Sequence, residues 1–99
     1  MRRTLVPSSG FSRALRRWLK KHPDAEASLD VIFSTMSENV FTASLGTHKL
    51  KGKWASYYAC STGYDSRIIF EFFELNGAEA IQLVTFGTHE EVYRPPRPV

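Results

Sequence analysis

Cysteine is nearly absent from this 99-residue chain. The single thiol, Cys60, allows no intramolecular disulfide and no cysteine-rich zinc site. Long apolar runs are missing as well: none approaches the ~20 residues that a bilayer-spanning helix needs. Arg2 and Arg3 are followed by no extended apolar segment of the kind a secretory signal carries. A cytoplasmic protein with no membrane partner is expected. Proline is sparse until the end, where three of the five crowd into "RPPRPV". Residues 94–99 therefore read as an extended tail, and residues 1–93 as one domain, too short for two cores. Acids are lacking from residues 1–22, which hold Arg2, Arg3, Arg13, Arg16, Arg17, Lys20 and Lys21. Bases are lacking from residues 23–46, which hold Asp24, Glu26, Asp30 and Glu38.

What is present is enough for a fold. Hydrophobic residues make up 42% of the chain, which excludes a disordered polymer. "RRTLVP" reads as a short strand. In "SSGFSRALRRWLKKH", Phe11, Ala14, Leu15, Trp18 and Leu19 fall on one helical face, with the basic side chains opposite and Ser9 as the expected N-cap. Pro23 suits the first turn of a second helix, Asp24 and Glu26 suit its positive end, and Leu29, Ile32, Phe33, Met36 and Val40 form its apolar stripe. The period then changes. "KWASYYACS", "SRIIFEFFEL" and "AIQLVTF" read as strands; the second is apolar on both faces and so central. "TGYD" and Asn76-Gly77 mark the turns between them. The expected class is α+β, ordered β-α-α-β-β-β, with a helical hairpin packed on one face of a small, twisted, mainly antiparallel sheet.

Basic residues cluster again at Lys49, Lys51 and Lys53. Charge segregated in this way suits a polyanion such as RNA, although a solvated helix face paired with an acidic neighbour would show the same pattern. The last strand ends in "GTHEEVY", where His89 is followed four residues later by Tyr93. Taken alone, that stretch reads first as a capped turn with a tyrosine packed on the core, because a lone His-x-x-x-Tyr is common.

"HKLKG" (His48 to Gly52), Trp54, Tyr57, "YDSRIIF" and "GTHEEVY", in this order, resemble the RelE/ParE toxin superfamily. They resemble most its YafQ-type branch, with an H-x-L-x-G segment and a closing G-T-H-x-x-L/V-F/Y. The resemblance covers residues 45–93 by motif and the whole chain by element order. It implies the toxin of a type II toxin–antitoxin pair: an mRNA endonuclease that works in the ribosomal A site, with an antitoxin, the ribosome and mRNA as partners and no cofactor. In such a cut the RNA's own 2′-hydroxyl attacks the adjacent phosphate and leaves a cyclic phosphate. The protein must then take one proton, give another, and offset the charge on the phosphorane.

The resemblance implies His89 as general acid, since an imidazole titrates near working pH. Tyr93 then stacks on a base or holds the phosphate through its hydroxyl. Arg67 is the phosphate-binding arginine, with Glu71 as its alternative, purely structural partner. His48 or Asp65 is the base, or the two act together. Lys49, Lys51, Lys53, Arg13 and Arg17 are the expected RNA contacts. The chain departs from the pattern at Ser61, where the YafQ branch has a second histidine, at Ser66 in place of a tryptophan and at Thr85 in place of an arginine. The lysines that RelE-type members use on the strand before the loop are replaced by Tyr58 and Cys60; Tyr58 and Tyr64 are therefore alternative site residues, and Cys60 reads as core. Two other readings stay open: a ParE-like gyrase poison, and a non-catalytic module that binds RNA or an antitoxin.

Overall fold

The computed structural model describes residues 2–63, 65–88 and 92. Its elements are β1 (Leu5–Pro7), α1 (Ser9–Lys21), a 3₁₀ turn (Pro23–Ala25), α2 (Glu26–Asn39), a 3₁₀ turn (Ala43–Leu45), β2 (His48–Lys49), a 3₁₀ turn (Gly52–Trp54), β3 (Tyr58–Ser61), β4 (Arg67–Leu75) and β5 (Ala78–Gly87). The five strands form one sheet in the order β1-β5-β4-β3-β2. β1 runs parallel to β5, and the other neighbours are antiparallel. The expected class and order hold, and β4 is central as its two apolar faces require.

The helices cover one face. Phe11 from α1 and Leu29 and Met36 from α2 meet Cys60, Ile68, Phe70, Ile81, Leu83 and Phe86 from the sheet in one buried cluster. Strand alternation sends the intervening side chains to the far face. There Ala59 and Ile69 pack with Val92, flanked by Leu50, Trp54, Tyr57 and Val84. Between Ile69–Thr85 and Phe70–Leu83 the β4–β5 register shifts by one residue, leaving Val84 as a bulge. Asn76 and Gly77 both have positive φ, 52° and 83°, and close the β4–β5 hairpin as a two-residue turn of the mirror-image type that matches strand twist.

Three details differ from expectation. The α1 cap is Ser8, not Ser9: the Ser8 hydroxyl accepts the Phe11 N–H at 3.0 Å, and its own N–H donates to the Leu83 carbonyl, tying the helix start to β5. "KWASYYACS" is a strand only from Tyr58, because Gly52, with φ of 66°, opens a 3₁₀ turn through Trp54. The third is β2, a two-residue edge strand that places His48 opposite Ala59. Tyr64, His89, Tyr93 and the tail 94–99 lie outside the described residues. No helix among the described residues is long and apolar enough to cross a membrane.

Replacing Ser8 by alanine should cost about 1 kcal/mol in urea denaturation, the usual loss for a side-chain cap, and Ser9→Ala should change little. Cys60 has no exposed surface, and burial pushes its thiol up from 9.0 to about 12 against a smaller opposing pull from the Arg67 guanidinium. The folded chain thus keeps a proton that the unfolded chain loses. Stability should be unaffected below about pH 9 and should fall as pH rises from there toward 12. That fall should be shallower in Cys60→Ala, measured by denaturant titration at each pH. The native thiol should also resist alkylation until the protein unfolds.

Candidate functional site at the end of strands β4 and β5

Arg67 opens β4, with Ser61 of β3 on one side and Gly87 of β5 on the other. It is half-buried, and its guanidinium donates to the Ser66 carbonyl at 3.0 Å. Glu71 is not its partner. The two share a face, but four residues of strand separate them by ~13 Å. Among the described residues no carboxylate lies within ion-pair distance of Arg67; the ion pairs found join Arg2 to Glu38 and Arg3 to Glu79. The loop before Arg67 is stiffened from within. Thr62 and Ser66 are both buried, their hydroxyls hydrogen-bond to each other, and the Thr62 N–H donates to the Ser66 carbonyl. The oxygen that holds Arg67 is therefore itself held.

His48 lies on the same far face. It pairs with Ala59, which belongs to that face, as Arg67 pairs with Ser61 two residues further along β3. Two strand spacings across and two residues along place the His48 and Arg67 Cα atoms ~12 Å apart. His48 is exposed, and its Nδ1 is 3.0 Å from the Gly46 carbonyl oxygen. A carbonyl only accepts, so Nδ1 carries a hydrogen, and in the neutral ring the lone pair is then on Nε2. Asp65 is exposed in the loop that joins β3 to β4, two residues before Arg67. Lys49, Lys51 and Lys53 are exposed around β2.

Gly87, opposite Arg67, is two residues before His89 in the sequence. The Val92 N–H donates to the Thr88 carbonyl at 3.0 Å, and Val92 is 3% exposed in the cluster with Ala59 and Ile69. The chain that leaves β5 is thus anchored at Val92 on the face carrying His48 and Arg67.

Around the same strand end, on the helix side, is a cleft of about 670 Å³ between α1 and residues Thr85 to Thr88. Arg13, Arg17 and Lys21 line it, as do Trp18 and His22, whose rings stack at 4.1 Å. Lys21, Trp18 and His22 were not singled out in the sequence as RNA contacts. In the sequence Lys21 belongs to the basic segment and follows Arg17 by four residues, whereas Trp18 reads as part of the apolar face and His22 follows it by four. Among the described residues no group of three or more His, Cys, Asp or Glu side chains is placed to hold a metal.

No curated protein matches the chain significantly by sequence. Solved structures do match its fold. The crystal structure of YafQ from E. coli strain BL21(DE3) superposes with a TM-score of 0.75 at 19% identity, covering 93% of this chain and 99% of that one. A chain of the E. coli DinJ-YafQ toxin-antitoxin complex matches with a TM-score of 0.72 at 18% identity, covering 95% and 100%. A YoeB/ParE toxin from Agrobacterium tumefaciens gives 0.71 at 13%, covering 87% and 98%. Such identities speak for the fold alone. The family is shown by the sequence, which matches the bacterial toxin of type II toxin–antitoxin systems, YafQ, over residues 3–94. The chain belongs to the YafQ family of type II toxins.

Proposed function

We propose that this toxin is a ribosome-dependent mRNA endonuclease that cuts by attack of the 2′-hydroxyl. The observation that supports this most is the sharing of one sheet face by His48 and by Arg67, a cation with no described carboxylate partner, beside the strand end that leads to His89. An arginine held by a backbone carbonyl, with no carboxylate at ion-pair distance among the described residues, suits a phosphate whose charge grows in the transition state. His48, with Nδ1 on the Gly46 carbonyl, presents Nε2 as a base for the 2′-hydroxyl. His89 supplies the proton to the leaving 5′-oxygen, and Tyr93 stacks on a base or steadies the phosphate. Asp65, in the loop two residues before Arg67, acts on the site's field or on a neighbouring nucleotide rather than on the His48 ring. Serines at 61 and 66 and threonine at 85 leave few groups to share the chemistry, so each remaining one carries more of it.

Lys49, Lys51, Lys53, Arg13 and Arg17 hold ribosomal or messenger phosphates. The partner that restrains the toxin is an antitoxin, since the E. coli relative is found in a DinJ-YafQ toxin-antitoxin complex, and the basic surfaces suit an acidic segment of that partner. A gyrase poison would need neither histidine, and no observation favours that reading.

His89→Gln keeps a polar side chain of similar reach but has no acidic proton to give. Single-turnover cleavage of a programmed ribosome should fall by about 10²–10⁴-fold with ribosome binding nearly unchanged; equal rates would remove His89 from the chemistry. Replacing Lys49, Lys51 and Lys53 together by glutamine should weaken ribosome association and flatten its dependence on salt concentration. An unaltered slope would take this segment out of the interface.

A further inference from the structure

The cleft between α1 and the end of β5 has no part in the proton transfers, yet its lining is unusual. Arg13, Arg17 and Lys21 recur every four residues along one helix face, are exposed, and are in no ion pair among the described residues. With a rise of 1.5 Å per residue, their bases are set ~6 Å apart along the axis, an interval that the phosphates of an extended single strand can match. At the helix end His22 lies flat on Trp18, with an interplanar angle of 16°, and is held there by Nδ1 on the Trp18 carbonyl at 3.1 Å. The Trp18 ring in turn meets the buried Phe86 edge-on. The exposed imidazole is thus an aromatic platform on a rigid base. A row of cations beside a stacking platform is how proteins hold single-stranded nucleic acid without reading its sequence. An acidic peptide would use the cations but would gain little from the ring.

The cleft is also continuous with the proposed site of cutting. Gly87 lines it and pairs with Arg67 on β4. From these features we infer that the cleft is a second, non-catalytic groove for single-stranded RNA, which holds the stretch of message adjoining the cut phosphate as it passes around the end of the sheet. Arg13, Arg17 and Lys21 take successive phosphates, and His22 takes one base. The inference rests on the RNA-cutting reading for its substrate, but the binding it describes can be measured without cleavage.

The test uses the full chain and a 2′-O-methyl hexauridylate, which cannot be cut. Arg13→Gln/Arg17→Gln/Lys21→Gln should bind it on the order of tenfold or more weakly. Three lost phosphate contacts at ~0.7 each should lower the slope of log affinity against log salt by about 2. His22→Ala should weaken binding about fivefold or more without changing that slope. The substitutions lie on an exposed helix face, and far-ultraviolet circular dichroism checks that the helix persists. Unchanged hexauridylate binding in the triple variant would overturn the groove. So would an inorganic polyphosphate or a polyglutamate of equal charge that binds as tightly as hexauridylate and is equally insensitive to His22→Ala. Cleavage of programmed ribosomes by the wild type is scored separately. If cleavage is seen but the triple variant binds hexauridylate normally, only the groove fails. If binding follows the three cations but no ribosomal message is ever cut, the endonuclease reading fails and the groove stands as an RNA site.

Discussion

Strand β4 carries apolar side chains to both of its faces: Ile68 and Phe70 toward the helices, Ile69 toward the far layer, all without exposed surface. A strand of this kind is stable only if both faces are kept from water. The helical hairpin covers one of them. Trp54, Tyr57, Val84 and Val92 cover the other. That second cover reaches Ala59 and Ile69, and the Ser61–Arg67–Gly87 row lies beyond them. The polar end of a strand that must otherwise be buried is where a cation can meet a ligand while its stem stays packed. Burial of β4 thus fixes the position of Arg67 and, with it, that of the candidate site.

Two surfaces of opposite construction meet at that end. On the far face His48 and Arg67 are spaced by the sheet's own lattice, and the loop that holds Arg67 is locked by the Thr62–Ser66 hydroxyl pair. On the helix face the groups are spaced by α1, whose start is locked to β5 through Ser8. The chain that carries both surfaces belongs to the YafQ family of type II toxins. Ser66 gives the loop before Arg67 a buried hydroxyl, bonded to that of Thr62. The loop is held by hydrogen bonds between Thr62 and Ser66.

The helices and long strands were legible because each carries its own periodic signal: the Phe11–Trp18 face, the doubly apolar β4, and the Asn76-Gly77 turn. β2 was not, since two residues at a sheet edge have no period to read and are strand only by virtue of pairing with Tyr58 and Ala59. Ser8 and Ser9 are equal as caps in sequence; contact with Leu83 and Val84 of β5 selects Ser8. Glu71 looked like a partner for Arg67 because parity puts them on one face, but parity says nothing of distance along a strand. Arg67 and His48 were found through the motifs that contain them, whereas their common face follows from strand register alone. The cleft was invisible for a similar reason: α1 and the end of β5 are some 70 residues apart in the chain, and only the basic half of the cleft leaves a mark in composition.

The central claim is that the RNA's own 2′-hydroxyl is the nucleophile and that the protein supplies only proton transfer and charge. The direct measurement is end-group analysis of a ribosome-bound message cut by the wild-type toxin, with a single 2′-deoxynucleotide placed immediately before the scissile phosphate in a parallel sample. The account predicts a 2′,3′-cyclic phosphate on the upstream fragment of the all-ribose message and no cut at the deoxy position. Undiminished cutting at the deoxy position would contradict it.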